Sequence, residues 1–190
     1  MQQNNLIMKH QAIKELPYGV SNFVTIVEEN IYYVDKTMYI PMLENEARNL
    51  FFIRPRRFGK SLFLGMLHAY YDCRTKDKLE QWFGKLWIGQ HPTPNQGRYQ
   101  VLHLDFSQVG GRIEKLEEKF NEYCCIALND FMFLYDTYYP ESCKKEFYDS
   151  NDAGAKLSII SRKAQTLGYS LYLIIDEYDN FTNTVLNEQG

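Results

Sequence analysis

Asn49-Leu50-Phe51-Phe52-Ile53-Arg54-Pro55-Arg56-Arg57-Phe58-Gly59-Lys60-Ser61 joins an apolar run to a basic turn. Leu50 to Ile53, four apolar residues in succession, predict a parallel strand covered on both faces. Beyond Ser61, residues Leu62, Phe63, Leu64, Met66, Leu67, Ala69, Tyr70 and Tyr71 predict a helix packed on that sheet, interrupted only by Gly65. Strand, tight turn and helix form the setting in which successive backbone N–H groups wrap a chain of phosphates. A lysine ammonium there reaches the outer phosphates and a serine hydroxyl ligates Mg²⁺. Arg56, Arg57, Phe58, Gly59, Lys60, Ser61 and Leu62 are therefore the candidate phosphate-binding stretch, with Ser61 also a metal ligand. The full motif has a glycine five residues before Gly59, and Arg54 stands there instead. The match is partial, and the plain alternative is a solvated turn capping a helix.

A second motif lies far along the chain. Ser170 to Ile175 reads as another buried strand and ends in Asp176-Glu177. A carboxylate at the tip of such a strand, beside a phosphate loop, holds Mg²⁺, commonly through water. Asp176 takes that role in this reading, and Glu177 orients and deprotonates a water as the candidate catalytic residue. The alternative is that both acids solvate a strand end. Asp179 reads as a helix cap or a solvated charge. Asp105, at the end of its own strand, either caps or faces the phosphates. His68 and His103 read as core or surface histidines, since neither has a second histidine at ligand spacing.

The 190 residues suit one domain, and 45% apolar with 24% charged residues is the balance of a globular protein. A formal net charge of −3 gives no bulk attraction to nucleic acid or anionic membrane. Any such binding rests on the local cluster Arg54, Arg56, Arg57 and Lys60. No apolar run approaches the roughly 20 residues that span a bilayer, and Met1 to His10 lack a secretory layout. The expected location is the cytoplasm. Cys73, Cys124, Cys125 and Cys143 have neither zinc-site spacing nor disulfide-scaffold density. They read as reduced thiols, with one member of the Cys124–Cys125 pair facing the core of a helix.

Phe23 to Val27 and Ile31 to Val34 predict a short hairpin across Glu28-Glu29-Asn30, and Asp35 caps a helix from Lys36 to about Glu46. Residues 1–48 thus form an N-terminal elaboration and 49–190 the main core, within one domain overall. Leu79 to Ile88 plugs a flank of the sheet, and Gln90 to Gly97 is a loop. Tyr99 to Phe106 is a strand. Apolar residues recur at three and four from Arg112 to about Tyr139, and again from Ala153 to Leu167, predicting two helices. Strands separated by helices imply a parallel sheet.

Several stretches, in order, resemble the bacterial AAA-ATPase-like family, whose P-loop region is often fused to a C-terminal nuclease-like domain of the PD-(D/E)xK type. They are Leu16-Pro17-Tyr18-Gly19, Tyr33-Val34-Asp35-Lys36-Thr37, Arg54-Pro55-Arg56-Arg57-Phe58-Gly59-Lys60-Ser61-Leu62, Leu104-Asp105-Phe106-Ser107 and Ile175-Asp176-Glu177-Tyr178-Asp179. The resemblance spans nearly the whole chain, and Arg54 in place of glycine is itself the family's habit. It implies an α/β fold, a P-loop NTPase-like parallel sheet flanked by helices, carrying here an N-terminal β-hairpin plus helix. It further implies ATP and Mg²⁺ as cofactors and an ATPase as the complete enzyme. The strand that such ATPases insert between their two motif strands usually comes after both in sequence, and few residues remain beyond Asp179. The expectation is a sheet incomplete at the C-terminus, inactive alone, that associates with a second copy or with a C-terminal nuclease-like region. The rival expectation is a non-catalytic module whose basic loop grips nucleic-acid phosphates or a partner protein. No membrane partner is expected.

Overall fold

The computed structural model describes residues 14–46, 48–53, 55, 57–109 and 115–178. Its sheet has two strands among these residues, β1 (Tyr99–Asp105) and β2 (Ser170–Asp176), which pair in parallel. Register runs from Tyr99 opposite Ser170 to Asp105 opposite Asp176. Both strands stand where the sequence predicts them. Helices cover both faces because β1 is apolar on both: Val101 enters one core and Leu102 the other.

The first core is built on α3 (Lys60–Tyr71), whose Phe63, Met66, Leu67, Tyr70 and Tyr71 pack on Val101 and Ile174. The second joins α6 (Leu116–Leu134), α7 (Glu141–Tyr148) and α8 (Ala153–Thr166) through Leu128, Phe131, Met132, Phe147 and Ile160. Met66, Met132, Phe147 and Ile160 are wholly buried, each burial contributing about 1.5–3 kcal/mol. Cys124 is buried and Cys125 only partly so, as the helical reading requires. The sequence pattern does not separate α7 from its neighbours; Pro140 precedes it and marks its start.

The N-terminal hairpin is not formed. Residues Phe23–Glu28 are a helix, α1, and Ile31 to Val34 are irregular. Phe23 and Ile26 are both fully buried. Three residues apart, they share a helix face, whereas strand alternation would send them to opposite faces. Asn22 favours the helix further by accepting from the Thr25 N–H at 3.1 Å. The single helix predicted from Lys36 to about Glu46 is instead a 3₁₀ turn (Thr37–Tyr39) followed by α2 (Ile40–Glu44), and Asp35, one residue before the N-cap Lys36, accepts from the Thr37 N–H at 2.8 Å. Two short helices, α4 (Leu79–Phe83) and α5 (Trp87–Gln90), fill the flank of the first core with Phe83 and Ile88.

Leu50 to Ile53 is also not a strand; it carries no ladder. Phe52 stacks on Phe63 with ring centroids 4.8 Å apart, and Phe51 meets Tyr178 at 6.3 Å, so the segment lies beside α3 and the end of β2. Phe51 and Ile53 are 80% and 82% exposed. An apolar run becomes a strand only when a neighbouring backbone satisfies its N–H and C=O groups, and no described strand pairs with it.

The two edges of the sheet differ. Along the outer edge of β1, the Val101 N–H donates to the Tyr135 hydroxyl at 2.8 Å and the Asp105 N–H to the Tyr123 hydroxyl at 2.8 Å. Asp72 bridges to Tyr99 on the same edge. The outer edge of β2 pairs with no described strand, and Leu173 and Ile175 beside it are exposed.

Candidate functional site

The site begins with a turn. Phe58 N–H donates to the Pro55 carbonyl at 3.3 Å, and Arg57 and Gly59 both adopt left-handed backbone, with φ of +67° and +74°. Gly59 is the N-cap of α3, and a side chain there would meet nothing within 4 Å. The glycine is thus required by its torsion angle rather than by crowding. One residue on, Lys60 opens α3 with Ser61 and Leu62 in its first turn.

The second half arrives on β2. Ser61 Oγ donates to Asp176 Oδ2 at 2.6 Å, and Lys60 Nζ lies 3.1 Å from Asp176 Oδ1 and 3.1 Å from Glu177 Oε1. The Glu177 N–H also donates to Asp176 Oδ1 at 2.9 Å. Residues 115 positions apart in the chain thereby converge. Glu177 adopts φ of +52°, a conformation costly for a non-glycine residue and concentrated at functional sites.

Electrostatics derive from this contact set. Burial alone would raise the Asp176 carboxyl, but hydrogen bonds from Ser61, Lys60 and the Glu177 N–H outweigh it and hold the group below the ordinary carboxylate value. For Lys60, burial works towards a lower value, and its bonds to Asp176 and Glu177 raise it instead. Asp176 is a charged anion at 3% exposure, stable only because each oxygen has a donor.

The remaining sequence candidates divide. Arg57 and Phe58 are exposed at the turn. Leu62 turns its side chain into the first core, leaving its backbone N–H as the group it can offer a ligand. Arg54, Arg56 and Asp179 lie outside the described residues. Asp105 sits opposite Asp176 in register, but its carboxylate accepts from the Ser107 N–H at 2.9 Å, the capping alternative.

Sequence reasoning did not place the two histidines together. His68 Nε2 is 3.4 Å from Asp72 Oδ2, and its ring centroid is 6.0 Å from that of His103. The His103 imidazole is held below its ordinary value, first by burial and then by His68. Its Nε2 is buried without a hydrogen-bond partner. The legible signal was period two: His103 shares a strand face with Asp105, two residues from the strand end.

No group of three or more histidine, cysteine or acidic residues disposed to hold a metal occurs among the described residues. The donor set at Ser61 and Asp176 is instead one hydroxyl and one carboxylate. Such a hard-oxygen pair fits Mg²⁺, which keeps several waters and takes further oxygens from phosphate.

The sequence from residue 17 to residue 190 matches the family described as predicted AAA-ATPase, AAA-ATPase-like. The chain belongs to this AAA-ATPase-like family. It is also similar to an "Uncharacterized protein in vnfD 5'region" of Azotobacter chroococcum mcd 1, with 49% identity over 55 residues. That match takes in 28% of this chain and 11% of the Azotobacter protein. No solved structure matches the chain. No helix among the described residues of this AAA-ATPase-like chain is long and apolar enough to cross a membrane.

Proposed function

We propose that this chain is the ATP- and Mg²⁺-binding P-loop module of an AAA-like ATPase, built on a P-loop NTPase-type α/β fold. One observation carries the reading: Lys60 and Ser61, from the turn that opens α3, meet Asp176 at the end of β2. Backbone N–H groups from Arg56 to Leu62 hold the phosphates, with the open space at Gly59 leaving the backbone approachable. Lys60 supplies charge to the outer phosphates, and Ser61 and Asp176 hold the metal. Bound there, Mg²⁺ would neutralise phosphate oxygens as charge develops on them. Glu177, one residue beyond the metal-holding acid and partly exposed, is placed as the base for an attacking water. A second copy of the chain or a nuclease-like region is the partner proposed for turnover.

Calorimetric titration of the full chain with ATP, with and without Mg²⁺, tests the proposal. The expected result is saturable binding that is lost in Lys60→Ala and retained in Glu177→Gln. Equal affinity in wild type and Lys60→Ala, or no binding in either, overturns it. Salt-sensitive binding of single-stranded DNA, indifferent to ATP, would instead assign the basic turn to nucleic-acid phosphates.

A further inference from the structure

A second polar site lies away from the turn, where α6, α7 and α8 meet. Lys156, in the first turns of α8, is only 3% exposed. Its Nζ donates to Asn129 Oδ1 at 3.0 Å and to the Phe147 carbonyl at 3.0 Å. The ammonium also lies 3.9 Å from the centre of the Phe147 ring and 5.5 Å from that of Tyr148. All of these partners are neutral. Among the described residues no carboxylate lies within ion-pair distance of this cation. Buried lysines are ordinarily paired with an anion, because neutral acceptors repay only part of the cost of desolvation.

Lys156 also lines an open cavity of about 410 Å³, together with Asn121, Asn129, Cys125, Ile126 and Tyr148. A lysine ammonium has three donors, and two of them are engaged here by oxygen acceptors. The third has the π face of Phe147 near it but no oxygen or nitrogen acceptor among the described residues. Burial depresses the ammonium's pKa, as expected of a cation short of compensating charge, although the nearby Cys125 acts in the other direction. Ile126 and Tyr148 are more than half exposed, so the cavity presents apolar surface beside Lys156. Glu122, also exposed, lines the cavity and sets a limit on the ligand, since a dianion would meet its carboxylate.

From this geometry we infer that the α6–α7–α8 cavity binds a small organic monocarboxylate, its carboxylate accepting from Lys156 and its apolar body lying against Ile126 and Tyr148. The site is separate from Lys60, Ser61 and Asp176 and stands whether or not that turn binds a nucleotide. Charge, volume and lining each narrow the class. An ammonium with no carboxylate in ion-pair reach calls for one anionic group, the Glu122 carboxylate in the same lining disfavours a second, and the exposed ring and aliphatic side chain favour an apolar body.

The test is a backbone amide NMR titration of the full chain with sodium benzoate, with benzyl alcohol as the uncharged probe and inorganic phosphate as the dianionic one. Benzoate is expected to shift resonances around Asn129, Tyr148 and Lys156, with benzyl alcohol binding about tenfold more weakly or less, the value of a charge-assisted hydrogen bond. Lys156→Met keeps the straight side chain and removes the charge, and it should abolish the preference for benzoate. Ile126→Glu alters only the exposed rim and should weaken benzoate while leaving the fold intact, so the idea remains testable if Lys156→Met is unstable. Lys60→Ala should leave the benzoate response unchanged. Equal binding of benzoate and benzyl alcohol, tighter binding of phosphate, or no shift at these residues overturns the inference.

Discussion

Lys60 and Asp176 form an ion pair at 3.1 Å in which the same ammonium also reaches Glu177 at 3.1 Å. The cation proposed for the phosphates is thus already neutralised by the two acids proposed for metal and water. Whatever draws Lys60 away leaves Asp176 a buried anion with one donor fewer, and a divalent cation offsets that cost. Nucleotide affinity is therefore expected to depend steeply on Mg²⁺. In Asp176→Asn the buried charge is gone and only the partly exposed Glu177 remains, so the ratio of affinities with and without Mg²⁺ should fall. An unchanged ratio in that variant contradicts the coupling.

Ser61→Ala removes the donor that sits 2.6 Å from Asp176 Oδ2. Leaving a buried carboxylate short of a hydrogen bond costs about 1–3 kcal/mol. Urea unfolding of the ligand-free chain should show a loss in that range. No change would mean that water replaces the hydroxyl.

Gly59→Ala tests torsion apart from crowding. With φ of +74° and no neighbour within 4 Å of the added methyl, the penalty is conformational alone, about 1–2 kcal/mol. A much larger loss of stability would show that the turn cannot relax around a side chain.

Asp72 carries a pH signature. Burial pushes its carboxyl up, yet hydrogen bonds from His68 and Arg74 prevail and hold it at about 2, against an ordinary 3.8. Arg74 Nη2 is 2.7 Å from Asp72 Oδ2. Because the folded value is the lower one, this contribution is complete above the unfolded pKa and fades as pH falls through the folded one. Stability should drop by about 2 kcal/mol across that acid window, and Asp72→Asn should remove the pH-dependent part. A curve of unfolding free energy against pH reads both.

Tyr135→Phe keeps the buried ring and deletes the acceptor for the Val101 N–H. An orphaned strand amide costs about 1–3 kcal/mol, and hydrogen exchange at Val101 should accelerate accordingly. Unchanged protection would show that the amide finds another partner.

Strands 99–105 and 170–176 were legible because apolar runs bounded by turn residues and ending in acids allow few other readings. The meeting of Lys60 and Ser61 with Asp176 was legible from motif order, because a turn opening one helix and an acid ending one strand of the same sheet come to the same rim. Phe23 to Val34 was misread because β-branched and aromatic content suggested strands, while the deciding information lay in the three-residue spacing of Phe23 and Ile26. Leu50 to Ile53 shows a different limit. Its residues suit a strand, but pairing depends on a neighbour that no local pattern contains. Lys156 was hidden because a single lysine beside an apolar helical stripe reads as solvated, and its burial depends on α7 closing over α8.

The hydroxyls of Tyr123 in α6 and Tyr135 just beyond its end make the two sides of the sheet unequal. With Tyr135 and Tyr123 occupying amides along the flank of β1, the side left open among the described residues is that of β2, with its Leu173 and Ile175. That side ends at Asp176. A strand added on that side would lie next to this carboxylate, so enlarging the sheet there would also alter what surrounds it.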